Sequence, residues 1–92
     1  MDLATGQNLI KQKKFPQALK LFEYLAKLDP KNKDLNFYLG RIFSELYDFK
    51  NGIKFYKKYL EFNNNSVPCL LNLAILFLNI GDKKILNNIL KK

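Results

Sequence analysis

Histidine is absent from this chain of 92 residues, and with it go the commonest general base and the commonest metal ligand. Cysteine is nearly absent as well. Cys69 stands alone, so neither an internal disulfide nor a thiolate metal cluster can form, and the redox compartment stays open. There is no Gly-rich phosphate loop, no pair of carboxylates placed for acid–base work and no nucleophile with a base beside it, so no enzyme, cofactor or metal is expected. Cys69 follows Pro68 at an expected helix start, where the helix dipole could lower its pKa, but beside Leu70 and Leu71 it reads better as a packing residue. Long apolar runs are also missing. The longest, Cys69 to Ile80, is interrupted by Asn72 and Asn79 and falls well short of the ~20 residues that a membrane span needs. The first residues, MDLATG, lack a basic region followed by an apolar run, which excludes a secretory signal of the usual kind and points to an intracellular chain unless a leader was trimmed. Acidic residues are few: 8 against 16 basic ones leave a net charge of +8, which makes an acidic partner possible. Only Arg41 among the basic residues is an arginine.

What is present is apolar periodicity. Leu19, Phe22, Leu25 and Ala26 fall at helical intervals, as do Leu35, Leu39, Ile42, Phe43 and Leu46, and again Ile53, Tyr56, Tyr59 and Leu60. No stretch alternates apolar and polar long enough to argue a strand. Helix starts are signalled by Pro16, by Asp48 as an N-cap, by Ser66 followed by Pro68, and by Asp82. These signals predict roughly six helices, at residues 2–13, 16–29, 34–46, 49–62, 67–79 and 83–91, joined by the short loops of antiparallel hairpins. The Asn63–Ser66 stretch is a turn, too brief to divide the chain into domains.

The same punctuation returns at a fixed distance. Gly6, Gly40 and Ala74 are spaced by 34 residues, and the same step relates Leu9, Phe43 and Phe77, then Ala18, Gly52 and Leu86, then Phe22, Tyr56 and Leu90. Phe15 and Phe49, and Asp48 and Asp82, obey it too. Small residues at 6, 40 and 74 and at 18 and 52 would let the two helices of a hairpin approach closely, with Leu9, Phe22, Phe43, Tyr56 and Phe77 filling the space around them. LDPKNKDLNFYLG, Leu28 to Gly40, is then the joint between two hairpins, closed by Pro30.

In this pattern the sequence resembles the tetratricopeptide repeat (TPR) family, whose signature over 34 residues is W-x2-L-G-x2-Y, then A-x3-F, then P. The middle repeat matches with Asn36, Leu39, Gly40, Phe43, Gly52 and Tyr56, with Asn64 in place of the proline. The first keeps Gly6, Ala18, Phe22 and Pro30 but has Asp2, Thr5 and Leu9 where bulky residues are usual; the third has Leu70, Leu73, Ala74, Phe77, Leu86 and Leu90. The resemblance implies an all-α fold, an α-solenoid of antiparallel helix hairpins with about two and a half repeats in one domain of residues 1–92: repeat 1 about 1–32, repeat 2 about 33–66 and a partial repeat 3 about 67–92.

It also implies function by binding: a concave groove lined by the first helices of successive hairpins holds a peptide or helix segment of another protein, as in an adaptor, assembly factor or chaperone-like protein. In the register set by Gly40, the groove residues are Phe37, Arg41 and Ser44, flanked by Leu3, Gln7 and Ile10 on one side and Leu71, Ile75 and Leu78 on the other, with Tyr38, Asn72 and Asn79 near the rim. Phe37, Arg41 and Ile75 are expected to be exposed there. Some relatives grip a C-terminal carboxylate with a Lys, Asn and Arg clamp, but the matching places here hold Leu3, Gln7, Tyr38, Pro68 and Asn72, without cations. An apolar segment carrying one acidic residue to meet Arg41 suits the surface better.

Two alternatives stand beside this. A self-associating structural module would use the apolar groove or Ile85, Leu86, Ile89 and Leu90, which put apolar side chains on more than one face of the expected last helix and leave room for a homo-oligomer. An RNA- or polyanion-binding module would use a convex side carrying Lys20, Lys27, Lys54, Lys57 and Lys58; the scarcity of arginine and of aromatics spared from the core argues against nucleic acid. A solvated lysine surface accounts for the same residues.

Overall fold

The structure, a computed structural model, describes residues 2–90, with side chains described as far as residue 81. Five helices follow one another: α1 (Leu3–Lys11), α2 (Phe15–Leu28), α3 (Leu35–Glu45), α4 (Phe49–Phe62) and α5 (Val67–Leu90). No strand occurs among the described residues. Each helix packs on the next, and α3 also touches α5. The molecule is drawn out to 51 × 28 × 19 Å, with a radius of gyration of 14.6 Å against the roughly 12 Å of a compact domain of this length.

Local chemistry accounts for the helix starts. The Asp2 carboxylate accepts from the Thr5 backbone N–H at 3.0 Å, and this hydrogen bonding holds its carboxyl below the ordinary carboxylate range. Asp48 accepts from the Asn51 backbone N–H at 3.4 Å and from its side-chain amide at 2.7 Å, and the Ser66 hydroxyl accepts from the Cys69 N–H at 3.4 Å. Pro16 sits in the first turn of α2, where its missing N–H is harmless.

The ends of α1 and α3 are related by the 34-residue step in a way that no glycine or proline announces. Lys13 and Tyr47 both adopt left-handed backbone, with φ of 60° and 63°. Each closes its helix with the same pair of bonds: Lys14 N–H donates to the Leu9 carbonyl and Lys13 N–H to that of Ile10, while Asp48 donates to Phe43 and Tyr47 to Ser44. A side chain in this conformation is strained by roughly 1 kcal/mol. Lys13→Gly, at an exposed position, is therefore expected to raise stability by about 0.5–1 kcal/mol, measured as the shift in chemical denaturation midpoint at unchanged slope.

The apolar residues gather in two connected clusters. Ile10, Ala18, Phe22, Leu35, Leu39 and Ile42 form one among α1, α2 and α3; Tyr56, Cys69 and Leu76 form the other between α4 and α5, with Phe37, Ile53, Tyr59 and Leu73 packed against it. In each hairpin a glycine lets an aromatic ring lie directly on the helix backbone. A Cβ placed on Gly6 would come within 2.6 Å of the Phe22 ring, and one on Gly40 within 2.7 Å of the Tyr56 ring. Small residues at 6 and 40 are thus a steric requirement of the two crossings.

The last part of the chain departs from expectation. In place of helices at 67–79 and 83–91 there is one helix, α5, so the count is five and not six. Asp82 starts nothing, because α5 runs straight through Gly81, which does not take up left-handed backbone and has nothing within 4 Å of its Cβ direction. A lone glycine inside a helix costs only about 1 kcal/mol relative to alanine, less than breaking the ladder when no packing rewards a reversal. As a consequence Ala74 and Phe77, expected inside a third hairpin, are exposed; Phe77 is 49% accessible, with the Lys57 ammonium 5.9 Å from its ring centroid. The side chains of Ile85, Leu86, Ile89 and Leu90 lie outside the described residues.

Candidate interaction groove

The middle helix α3 carries a depression on each side. Toward α1, a space of about 200 Å³ is lined by Gln7, Ile10, Lys11, Phe37, Tyr38 and Arg41. Toward α5, a space of about 280 Å³ is lined by Arg41, Ser44 and Glu45 of α3, by Tyr47, Phe49 and Tyr56, and by Asn72, Ile75, Leu76 and Asn79 of α5. Arg41 belongs to both. It is exposed, and among the described residues its guanidinium has no hydrogen-bond or ion-pair partner.

The walls of the first depression are fixed by aromatic packing. Tyr38 stacks on Phe22 at 5.1 Å and its hydroxyl accepts from the Gln7 amide at 2.7 Å, which ties α3 to α1. Phe37 meets Tyr38, Tyr56 and Tyr59 with centroids 6.0, 5.8 and 5.4 Å away. Phe37 is therefore half-buried and contributes to the packing of α3 on α4, contrary to the expected free exposure, while it also borders the depression. Ile10 is 8% exposed, so it forms floor and core together.

The second depression has a polar base. The Ser44 hydroxyl donates to the Gly40 carbonyl at 2.7 Å, which leaves its oxygen to accept. Tyr56 is 2% exposed and burial raises its pKa, an effect partly offset by side-chain hydrogen bonding with Ser44 and Asn72 and by the positive charge of Arg41. Ile75, 54% exposed, supplies an apolar wall. Cys69 is fully buried behind Tyr56, its thiol donating to the Tyr56 carbonyl at 3.5 Å; burial pushes that thiol up, so it is a packing residue without the lowered pKa that a helix start could have given it.

Of the residues expected to share a groove, Gln7, Ile10, Phe37, Tyr38, Arg41, Ser44, Asn72, Ile75 and Asn79 border these two joined depressions. Three do not. Leu3 faces a separate hollow beside Leu25, Leu28 and Leu35, because α1 turns that side toward the end of α2. Leu71 and Leu78 are exposed on α5 but line neither space. Sequence reading missed Lys11 and Glu45, each one helical turn beyond a chosen residue, Gln7 and Arg41 respectively; the i, i+4 rule carried one step further finds both. Tyr56 was assigned to the core alone, and nothing in periodicity reveals that its hydroxyl end reaches a surface depression.

Among the described residues no group of three or more His, Cys, Asp or Glu side chains is placed to hold a metal ion. No described helix is long and apolar enough to cross a membrane. No protein-family model matches the chain. Among curated proteins it is similar to a TPR repeat-containing protein of Methanocaldococcus jannaschii, at 30% identity over 81 residues; the match takes in 88% of this chain and spans only 13% of that relative's length.

Proposed function

We propose that the chain is a protein-interaction module of TPR type, with repeats at about residues 1–32 and 33–66 and a partial third at about 67–92, and that its groove holds an apolar helix or extended segment bearing one acidic side chain. The 34-residue recurrence, the repeated glycine-under-aromatic contact and the similarity to an archaeal TPR repeat-containing protein support the repeat reading. The observation that carries the binding reading is Arg41: a guanidinium without a partner among the described residues, at the seam of two depressions whose walls, Phe37 and Ile75, are apolar. A planar cation beside apolar surface suits a carboxylate attached to an apolar side, and with Lys11 on the rim the first depression leans further to acidic ligands.

The polyanion reading gains less support. Lys54 and Lys58 lie over the Phe55 ring at 5.6 and 5.2 Å and Lys33 over Phe62 at 4.4 Å, so these stems cover aromatic surface that base stacking would need open. The test is a panel of fluorescent amphipathic helical peptides, each made with one glutamate or with glutamine in its place. The glutamate members are expected to bind at least about tenfold tighter, with moderate salt dependence. Equal binding of both forms, or steep salt dependence with homopolymeric RNA as the better ligand, would remove the reading.

A further inference from the structure

In the first two hairpins a small residue on one helix is covered by an aromatic ring sixteen positions later: Gly6 by Phe22 and Gly40 by Tyr56. The next pair in register is Ala74 and Leu90. Both lie on α5, which runs unbroken over Val67–Leu90, so they are about 24 Å apart along one axis and Leu90 cannot cover Ala74 of its own chain. Around Ala74 the helix presents Val67, Leu70, Leu71, Phe77 and Leu78, all 46–63% exposed, and residues 67–81 contain no charged side chain. This is the face that α2 and α4 cover on α1 and α3.

We propose that a second copy of this chain covers it by exchange. The stretch 83–90 of each copy lies across the Ala74 face of the other, taking the place that the second helix of a hairpin takes in the first two units. Three observations select a second copy over an unrelated occupant. The covering residues that the 34-residue step requires, Leu86 and Leu90, are encoded in this chain. The continuity of α5 carries them away from their own Ala74. The stretch 67–81 carries no charged side chain, so its burial against a second copy desolvates no charge of its own, although Lys57 lies over Phe77 and the arriving segment brings Lys83 and Lys84. Exchange of identical segments closes on itself with two-fold symmetry, and the open and closed arrangements differ only in whether the helix breaks near Gly81. Arg41 and the depressions beside it lie elsewhere, so the dimer stands or falls independently of the groove reading.

The test uses the full chain with Cys69→Ala, Ala74→Cys and Leu90→Cys, oxidised at micromolar concentration and separated on a non-reducing gel, alongside sedimentation of the unaltered chain. A disulfide-linked dimer and a dimeric sedimentation coefficient are the expected results. A disulfide within a single chain would mean that the helix breaks and folds back on itself, and would overturn the exchange; a monomer with no cross-link would do the same. Gly81→Ala, which meets no obstacle and favours the straight helix, is expected to tighten the dimer about fivefold. Weakening by that change would show that the chain must bend there, against the proposal. Phe77→Asp should dissolve the dimer while leaving the helicity of the first two hairpins intact.

Discussion

Gly40→Leu is expected to destabilise the protein by about 3 kcal/mol, near the upper end of overpacking costs, which for a domain of this size lowers the melting temperature by more than about 10 °C. The reason is the crossing of α3 and α4. Already at the Cβ the new side chain would stand 2.7 and 2.8 Å from two atoms of the Tyr56 ring, closer than real contacts allow. Tyr56 is 2% exposed, its ring packed on Phe37 at 5.8 Å and its hydroxyl end held by hydrogen bonding with Ser44 and Asn72, so it has little freedom to move aside. Helix propensity works the other way, since leucine in a helix is preferred to glycine by somewhat under 1 kcal/mol, and the clash must outweigh that gain. Gly81→Ala is the matched control: the propensity gain is similar, nothing lies within 4 Å, and stability of the helix should rise. Thermal unfolding followed by circular dichroism compares the two. A melting temperature for Gly40→Leu equal to that of the unaltered chain would show that α3 and α4 do not cross as closely as described. Gly6→Leu should behave like Gly40→Leu, since Phe22 lies 2.6 Å from the corresponding Cβ position.

Arg41→Ala combined with Ile75→Ala is expected to weaken binding of a glutamate-bearing amphipathic peptide on the order of 100-fold, from about 1–2 kcal/mol at each site if the effects add. Both side chains are exposed and neither contributes to the two buried clusters, so helicity and melting temperature should stay near those of the unaltered chain. Phe37→Ala is unsuited to this purpose. Its ring touches three tyrosines, so truncation would loosen α3 against α4 and mix a stability loss with any binding loss. Lys54→Ala with Lys58→Ala, which only uncovers the Phe55 ring, should leave affinity within about twofold. Titration by fluorescence anisotropy distinguishes the outcomes: loss of binding in the lysine pair and not in the Arg41–Ile75 pair would move the site to the other side of the molecule.

The sequence by itself determined what is local or recurrent. Helices α1 to α4, and the start of α5, fall within a few residues of the expected places, because Pro16, Asp48 and Ser66 act on backbone groups within one turn of themselves and apolar spacing needs no distant partner to be read. The glycine-under-aromatic contact was also legible, since a steric requirement met twice leaves the same two residue types at the same separation. Tertiary structure decided the rest. Phe37 has surfaces of α1 and α4 available on either side, and only the assembled hairpin shows that three tyrosine rings pack against it while Arg41, one turn on, has no partner among the described residues. Leu3 and Ile10 have the composition of groove residues, but the angle at which α1 lies on α2 and α3 sends one to a different hollow and the other into the core. At Gly81 the local signals permitted either a break or a continuous helix. A helix reverses only when the segment beyond the turn finds apolar surface whose burial outweighs the lost hydrogen bonds, and that is a property of surfaces distant along the chain, which no stretch of residues around 81 encodes.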